Sequence, residues 1–190
     1  MMTTISAVYD ACVLYPASLR DFLLRLAFAD LVSPFWSKEI HDEWTHSLLR
    51  NRPNLKRENL ERTRREMDYH FPDGLVRGYE FIIPTLTLPD PGDRHVLAAA
   101  IHVKAKYIVT LNLKHFPKTA LEPYGIEAVS PEEFVLQLIQ NDPNHVLQAV
   151  KDHRRELTRP PKTVDEYLAT LEKQHLPKTV AFLREHKGEL

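Results

Sequence analysis

The sequence predicts an α/β protein: three layers, α/β/α, around a central parallel sheet, with a helical extension at the C-terminus. Three observations point there. Short apolar runs of strand length, at 5–9 and 107–110, alternate with longer stretches whose apolar residues recur every three or four positions. Such alternation belongs to parallel sheets joined by crossover helices. Beyond Asn141 the strand signal stops and only helical periodicity continues. At 190 residues the chain makes one domain, taken as residues 1–140, and an extension over 141–190.

In order, the run 5–9 is a strand that ends on Asp10. A helix follows over 17–29, with Ser18 as its cap and Leu19, Phe22, Leu23, Leu26 and Ala27 on one face. Residues 31–34 read as a second strand. Residues 36–51 read as a helix capped by Ser37, with Ile40, Trp44 and Leu48 as its apolar stripe and Glu43 flanking it. Residues 54–70 are densely charged, and Leu60, Met67 and Tyr69 give them a thin apolar face. Residues 74–81 read as a loop or short helix, and 81–83 as a third strand.

The stretch 87–112 is the most informative. Asp90 is placed to cap a helix whose first residue is Pro91, where the missing N–H costs nothing. Asp93 meets the positive end of the helix dipole. Val96, Leu97, Ala100 and Ile101 form the buried stripe, and Lys104 and Lys106 stand at the negative end. The strand 107–110 exits towards Asn112. A loop over 116–123 leads to a brief strand at 126–129. Ser130, Pro131 and Glu133 then supply a cap, a first-turn proline and an acid at the third position of a helix filled by 134–139. In the extension Asp142 caps a helix over 145–156 and Thr163 a second over 164–174. A third spans 176–186, and Arg159, Pro160 and Pro161 form a linker. Pro-Lys-Thr recurs at 117, 161 and 177 as helix-entry chemistry, since its flanks do not match.

Composition excludes several classes. Net charge is −1, so a nucleic-acid partner needs a local basic patch. One cysteine, Cys12, precludes an internal disulfide or a Cys-built zinc cage and fits a reducing compartment. Five glycines cannot build GxGxxG or a P-loop. The longest apolar runs are too short to cross a membrane, and a soluble, cytoplasmic protein is expected.

Asp10, Glu43, Asp93 and Asn112 are distant in sequence. A parallel sheet nevertheless gathers the C-terminal ends of its strands, and ligands bind where strand order reverses. Asp10 and Asn112 both follow strands. Each residue has an ordinary role when taken alone: turn former, cap or solvated helix residue. Together they imply a cation or raised pKa values, because close like charges repel by about 4 kcal/mol per pair at an intermediate dielectric. Oxygen donors of this kind suit Mg²⁺. His95, His102 and His115 lack the spacing of a zinc site, although His115, three residues from Asn112, could touch substrate. Cys12 reads as a small buried hydrophobe and Trp44 as core. Lys56, Arg57, Arg62, Arg64 and Arg65, with Arg50, Arg52 and Lys114, form a candidate RNA grip. The interleaved Glu58, Glu61 and Glu66 equally make a salt-bridged, solvated helix.

Four segments in this order, AVYDACVLYPA around Asp10, SKEIHDEW around Glu43, DPGDRHVLAAA around Asp93 and YIVTLNLKHF around Asn112, resemble a PIN domain. This is the nuclease fold of VapC-type toxins in bacterial toxin–antitoxin pairs. SPEEF, 130–134, resembles the family's closing strand-to-helix segment, and the likeness covers roughly 4–140. The resemblance implies Mg²⁺- or Mn²⁺-dependent cleavage of RNA phosphodiester bonds, with Asp10, Glu43 and Asp93 as metal ligands and Asn112 completing the catalytic set. Asn112 stands where relatives often carry Asp, which lowers the site's charge by one and bears on a second metal ion. An antitoxin protein is the implied partner, and a homodimer contact is one role open to the extension; no membrane is implied. The rival reading is a catalytically inactive PIN-like module that binds RNA or protein. A haloacid-dehalogenase-type phosphatase wants a second acid two residues after the first, and Asp10-Ala11-Cys12 lacks it.

Overall fold

A computed structural model describes residues 4–190. Strand β1 (Ile5–Tyr9) leads through a single turn, α1 (Ala11–Leu14), into helix α2 (Ala17–Phe28). Strand β2 (Val32–Ser37) runs directly into α3 (Lys38–Asn51), which is followed by α4 (Arg57–His70) and β3 (Leu75–Val76). A 3-10 stretch over Glu80–Thr85 and a second at Pro91–Asp93 precede α5 (Arg94–His102) and β4 (Tyr107–Val109). Then come the short α6 (Lys118–Leu121), β5 (Glu127–Val129) and four helices: α7 (Pro131–Asn141), α8 (Pro143–Glu156), α9 (Val164–Glu172) and α10 (Pro177–Glu185).

The five strands form one parallel sheet in the order β3-β2-β1-β4-β5. Successive strand residues point to opposite faces. Ala7, Val8 and Tyr9 are all fully buried, so both faces of β1 are covered, as a three-layer fold requires. Helix α5 packs across β1, β2 and β4, while α2 lies against β2 and α7 against β5. The chain leaves β1 towards β2 and β3, then returns to the other side for β4 and β5. Strand order therefore reverses between β1 and β4.

Capping chemistry accounts for the helix starts. The Ser37 side chain accepts from Ile40 N–H, and Ser130 and Thr163 each form a reciprocal capping box, with Glu133 and Glu166. The Asp142 side chain accepts from His145 N–H. Gly125, at φ +67°, takes the left-handed conformation that turns the chain into β5.

Several expectations need correction. Ser18 does not cap α2; Pro16 occupies the cap position and makes no side-chain bond. The third strand is Leu75–Val76, and 81–83 lies in a 3-10 stretch whose Pro84 cannot donate to a ladder. Tyr69 is 81% exposed rather than part of the apolar face of α4, and only Leu60 and Met67 of that face are buried. Polar contacts do the rest of the docking. Asp68 accepts from Trp36 Nε1–H at 2.8 Å and lies 3.1 Å from His41 Nε2, while Arg64 reaches Asp42 at 2.9 Å.

The four last helices pack on the sheet domain through α7 on β5 and α8 and α9 on α2, and α10 is fastened to α7. Glu132 of α7 accepts from the backbone N–H groups of Lys178 and Thr179 and, at 2.6 Å, from the Thr179 hydroxyl. Its carboxylate thus satisfies the unpaired N–H groups at the start of α10 and sits at the positive end of that helix. Glu132→Ala is expected to cost about 2 kcal/mol, because bonds to a charged acceptor are worth more than neutral ones. For a chain of this size that is a fall of roughly 5 °C in thermal midpoint by calorimetry. An unchanged midpoint would show that the clamp contributes nothing.

Candidate active site

The site forms at the C-terminal edge of the sheet, at the reversal between β1 and β4. Asp10 directly follows β1, and its N–H donates to Val109 O of β4 at 3.1 Å. Asn112 follows β4 by three residues. Helix α3 contributes Glu43, and the 3-10 turn before α5 contributes Asp93. All four line one cavity of about 610 Å³, together with Arg50 and Cys12. Folding therefore brings the four sequence-predicted positions to a single pocket.

Each of the three acids is held by a dedicated neighbour. Asp10 Oδ1 accepts from Ala11 N–H at 2.7 Å, which starts α1. Its Oδ2 accepts from the Thr110 hydroxyl at 2.7 Å and lies 3.1 Å from Cys12 Sγ. Glu43 Oε1 is 2.8 Å from His95 Nε2, and Asp93 Oδ2 is 2.7 Å from His115 Nδ1. Asp90 caps the turn through Gly92 N–H at 2.8 Å, and its other oxygen lies 4.0 Å from His115 Nδ1. Asp93 makes no capping bond to α5, so its carboxylate is free to face the cavity.

The electrostatics are those of gathered acids. Burial pushes the Asp93 carboxyl up; the His115 hydrogen bond opposes this, and the nearby charges of Asp10 and Asp90 add to the rise. Burial disfavours charge on His95, but the Glu43 carboxylate outweighs it and holds the imidazole above its ordinary value. Burial, followed by the charge of Asp10, pushes the Cys12 thiol up to about 12, so it is a neutral thiol. Cys12 packs against the core as expected, but it is not only a hydrophobe. It is half-buried and accepts from Leu111 N–H at 3.2 Å while touching Asp10 and Thr110, which ties β1 to β4 at the site.

Of the basic residues considered as an RNA grip, Arg64 is paired with Asp42 and Glu61, and Arg62 faces Glu66 at 3.6 Å. Helix α4 therefore behaves as the salt-bridged helix. Arg50 is different: it lines the cavity on the face of α3 that carries Glu43, one turn beyond His46 and Ser47. Sequence reasoning missed the supporting roles of His95 and Thr110. His95 had a weak signal, two positions from Asp93 within an acidic segment; a strand-end threonine carries none.

A parallel sheet whose order reverses beside a pocket of carboxylates defines a class of α/β proteins with ligand sites at that edge. The chain belongs to the PIN domain family, which it matches over 6–114. Residues 131–185 match the VapC50 C-terminal domain. Over 44 residues the chain is 61% identical to a Mycobacterium tuberculosis protein named "Putative ribonuclease VapC50". That segment is 23% of this chain and spans about a quarter, 26%, of the relative's length. No solved structure matches the chain. No helix among the described residues is long and apolar enough to cross a membrane.

Proposed function

We propose that the chain is a divalent-metal-dependent endoribonuclease, the toxin of a toxin–antitoxin pair. The observation that carries this reading is the convergence of Asp10, Glu43, Asp93 and Asn112 on one pocket from four separate elements. In this reading Asp10, Glu43 and Asp93 hold the cation, and the neutral Asn112 orients water or substrate. The donor set fits: three carboxylates and an amide are all-oxygen ligands of the kind Mg²⁺ and Mn²⁺ accept, with room left for waters. A cation bound there supplies polarisation of the scissile phosphate and acidification of a nearby water. His95 and Thr110 keep Glu43 and Asp10 in place while substrate enters. Arg50, at the exposed lip, offers a guanidinium to a neighbouring phosphate.

The partner reading follows the same chemistry. An antitoxin protein would lay an apolar segment across Leu111 and Leu113, which are 44% and 39% exposed on either side of Asn112, and direct an Arg or Lys into the acids. Residues 1–140 would be the nuclease unit and 141–190 a helical extension, with homodimer contact as one of its roles. A reducing cytoplasm suits the free Cys12. The rival reading, an inert PIN-like module, is favoured by Asn112, which replaces an acid. Purified, metal-stripped protein is expected to leave RNA intact in excess chelator and to cleave it once Mn²⁺ or Mg²⁺ is restored. Cleavage that persists in chelator would overturn the metal dependence. Failure both to cleave and to bind either ion would favour the inert module.

A further inference from the structure

The cluster of ligand-type atoms nearest together lies to one side of the expected set. Asp90, Asp93 and His115 each offer an atom, and the three atoms fall within 4.8 Å of one another. His115 Nδ1 stands 2.7 Å from Asp93 Oδ2 and 4.0 Å from Asp90 Oδ2. The imidazole side chain is only 25% exposed and enters from the 3-10 turn Leu113–His115, which follows Asn112. The Asp90 oxygen that faces it is not the one that caps Gly92. Capping therefore leaves one Asp90 oxygen available.

We propose that His115 is itself a ligand of the site's cation, with Asp93 and Asp90, and that this mixed nitrogen and oxygen donor set makes the site prefer Mn²⁺ over Mg²⁺. The inference rests on the metal-dependent reading above and adds two ligands to it. Mg²⁺ is a hard ion that takes oxygen and holds its waters. Imidazole nitrogen is a softer donor that Mg²⁺ hardly takes; Mn²⁺, although the weakest of the first-row transition ions at such donors, gains more from it than Mg²⁺ does. Asp90, taken from sequence as a cap alone, then has two roles, one for each oxygen.

The test uses the metal-stripped full chain, titrated calorimetrically with Mn²⁺ and separately with Mg²⁺. Wild type is expected to bind Mn²⁺ at least about tenfold more tightly than Mg²⁺, and His115→Ala to lose most of that ratio, the size of effect seen when groups around a metal are removed. Pulsed electron paramagnetic resonance of the Mn²⁺ complex is expected to show nitrogen-14 modulation that His115→Ala abolishes. Asp90→Asn keeps the capping acceptor, so its helix start survives, and it is expected to weaken Mn²⁺ binding with an unchanged thermal midpoint. A Mn²⁺-to-Mg²⁺ ratio that is the same in wild type and His115→Ala, or an absence of nitrogen modulation, overturns the His115 assignment and leaves the nuclease reading standing. Absence of any ion binding in wild type overturns both.

Discussion

Asp10→Asn and Asp93→Asn are each expected to lose more than about 100-fold in RNA cleavage, since removal of mere outer-shell partners of metal ligands already costs 10–100-fold. The fold should survive both changes. An asparagine in place of Asp10 would keep an Oδ1 acceptor for Ala11 N–H, and its amide could donate to the Thr110 hydroxyl once that hydroxyl rotates. At Asp93 the direction is more informative. Burial, reinforced by Asp10 and Asp90, already disfavours its charged form. A neutral side chain there should therefore leave the thermal midpoint of the metal-free protein unchanged or raise it. Lost activity with undiminished stability marks a residue kept for function, whereas a structural carboxylate would lose both. Single-turnover cleavage of a labelled RNA, beside calorimetry without metal, reads the two quantities. Wild-type cleavage by either purified variant would sink the catalytic assignment.

The parts of this fold legible in the sequence were those set by local chemistry. Ser37, Ser130, Asp142 and Thr163 cap the helices that their positions predicted, because a capping oxygen needs only its own next three residues. Strand β1 and the buried face of α2 were equally readable, since period and run length are local properties. Strand β3 was not. At two residues it has no period to detect, and it exists because β2 presents an open edge to pair with. Tyr69 failed for the opposite reason, since the helical period was there to be used. Two residues beyond Met67 it stands on the opposite side of the helix, away from the Leu60 and Met67 face that docks together with Asp68 and Arg64.

The site divides in the same way. The meeting of Asp10, Glu43, Asp93 and Asn112 could be argued from strand ends and strand order. How each acid is held could not. His95 reaches Glu43 across 52 positions, and Thr110 reaches Asp10 across 100. Such pairs depend on tertiary geometry and leave no short-range pattern. Cys12 was read only in part, as the small apolar residue that a lone cysteine usually is and that packs against this core. Its place beside Asp10 in the first turn after β1 also puts its sulfur among polar atoms.

The helical extension should come loose in acid through His153 of α8. Its ring is 8% exposed and packs beside Phe22 of α2, with Nδ1 2.9 Å from the Tyr167 hydroxyl of α9. Burial pushes the Tyr167 phenol well above its ordinary range, so its hydroxyl donates and His153 Nδ1 accepts. Burial, aided by the positive charges of Arg25 and Lys162, depresses His153 to about 4 from 6.5. Between these two values the unfolded chain binds a proton that the folded chain refuses, so stability falls as pH falls. The contribution is fully present above about pH 6.5 and lost by about pH 4, and at 1.36 kcal/mol per pH unit it amounts to about 3 kcal/mol. Protonation would also take away the acceptor of Tyr167, and among the described residues no carboxylate pairs with the ring to offset the new charge; Glu156 is engaged by Arg25. His153→Gln supplies a neutral acceptor that does not titrate. The difference in thermal midpoint between wild type and this variant, measured from pH 7 to pH 4, should therefore shift against wild type by roughly 6–12 °C. Other groups titrate alike in both proteins and cancel in that difference. Parallel midpoint curves would mean that His153 protonates without penalty, and the contact between α2, α8 and α9 would then owe nothing to its neutrality.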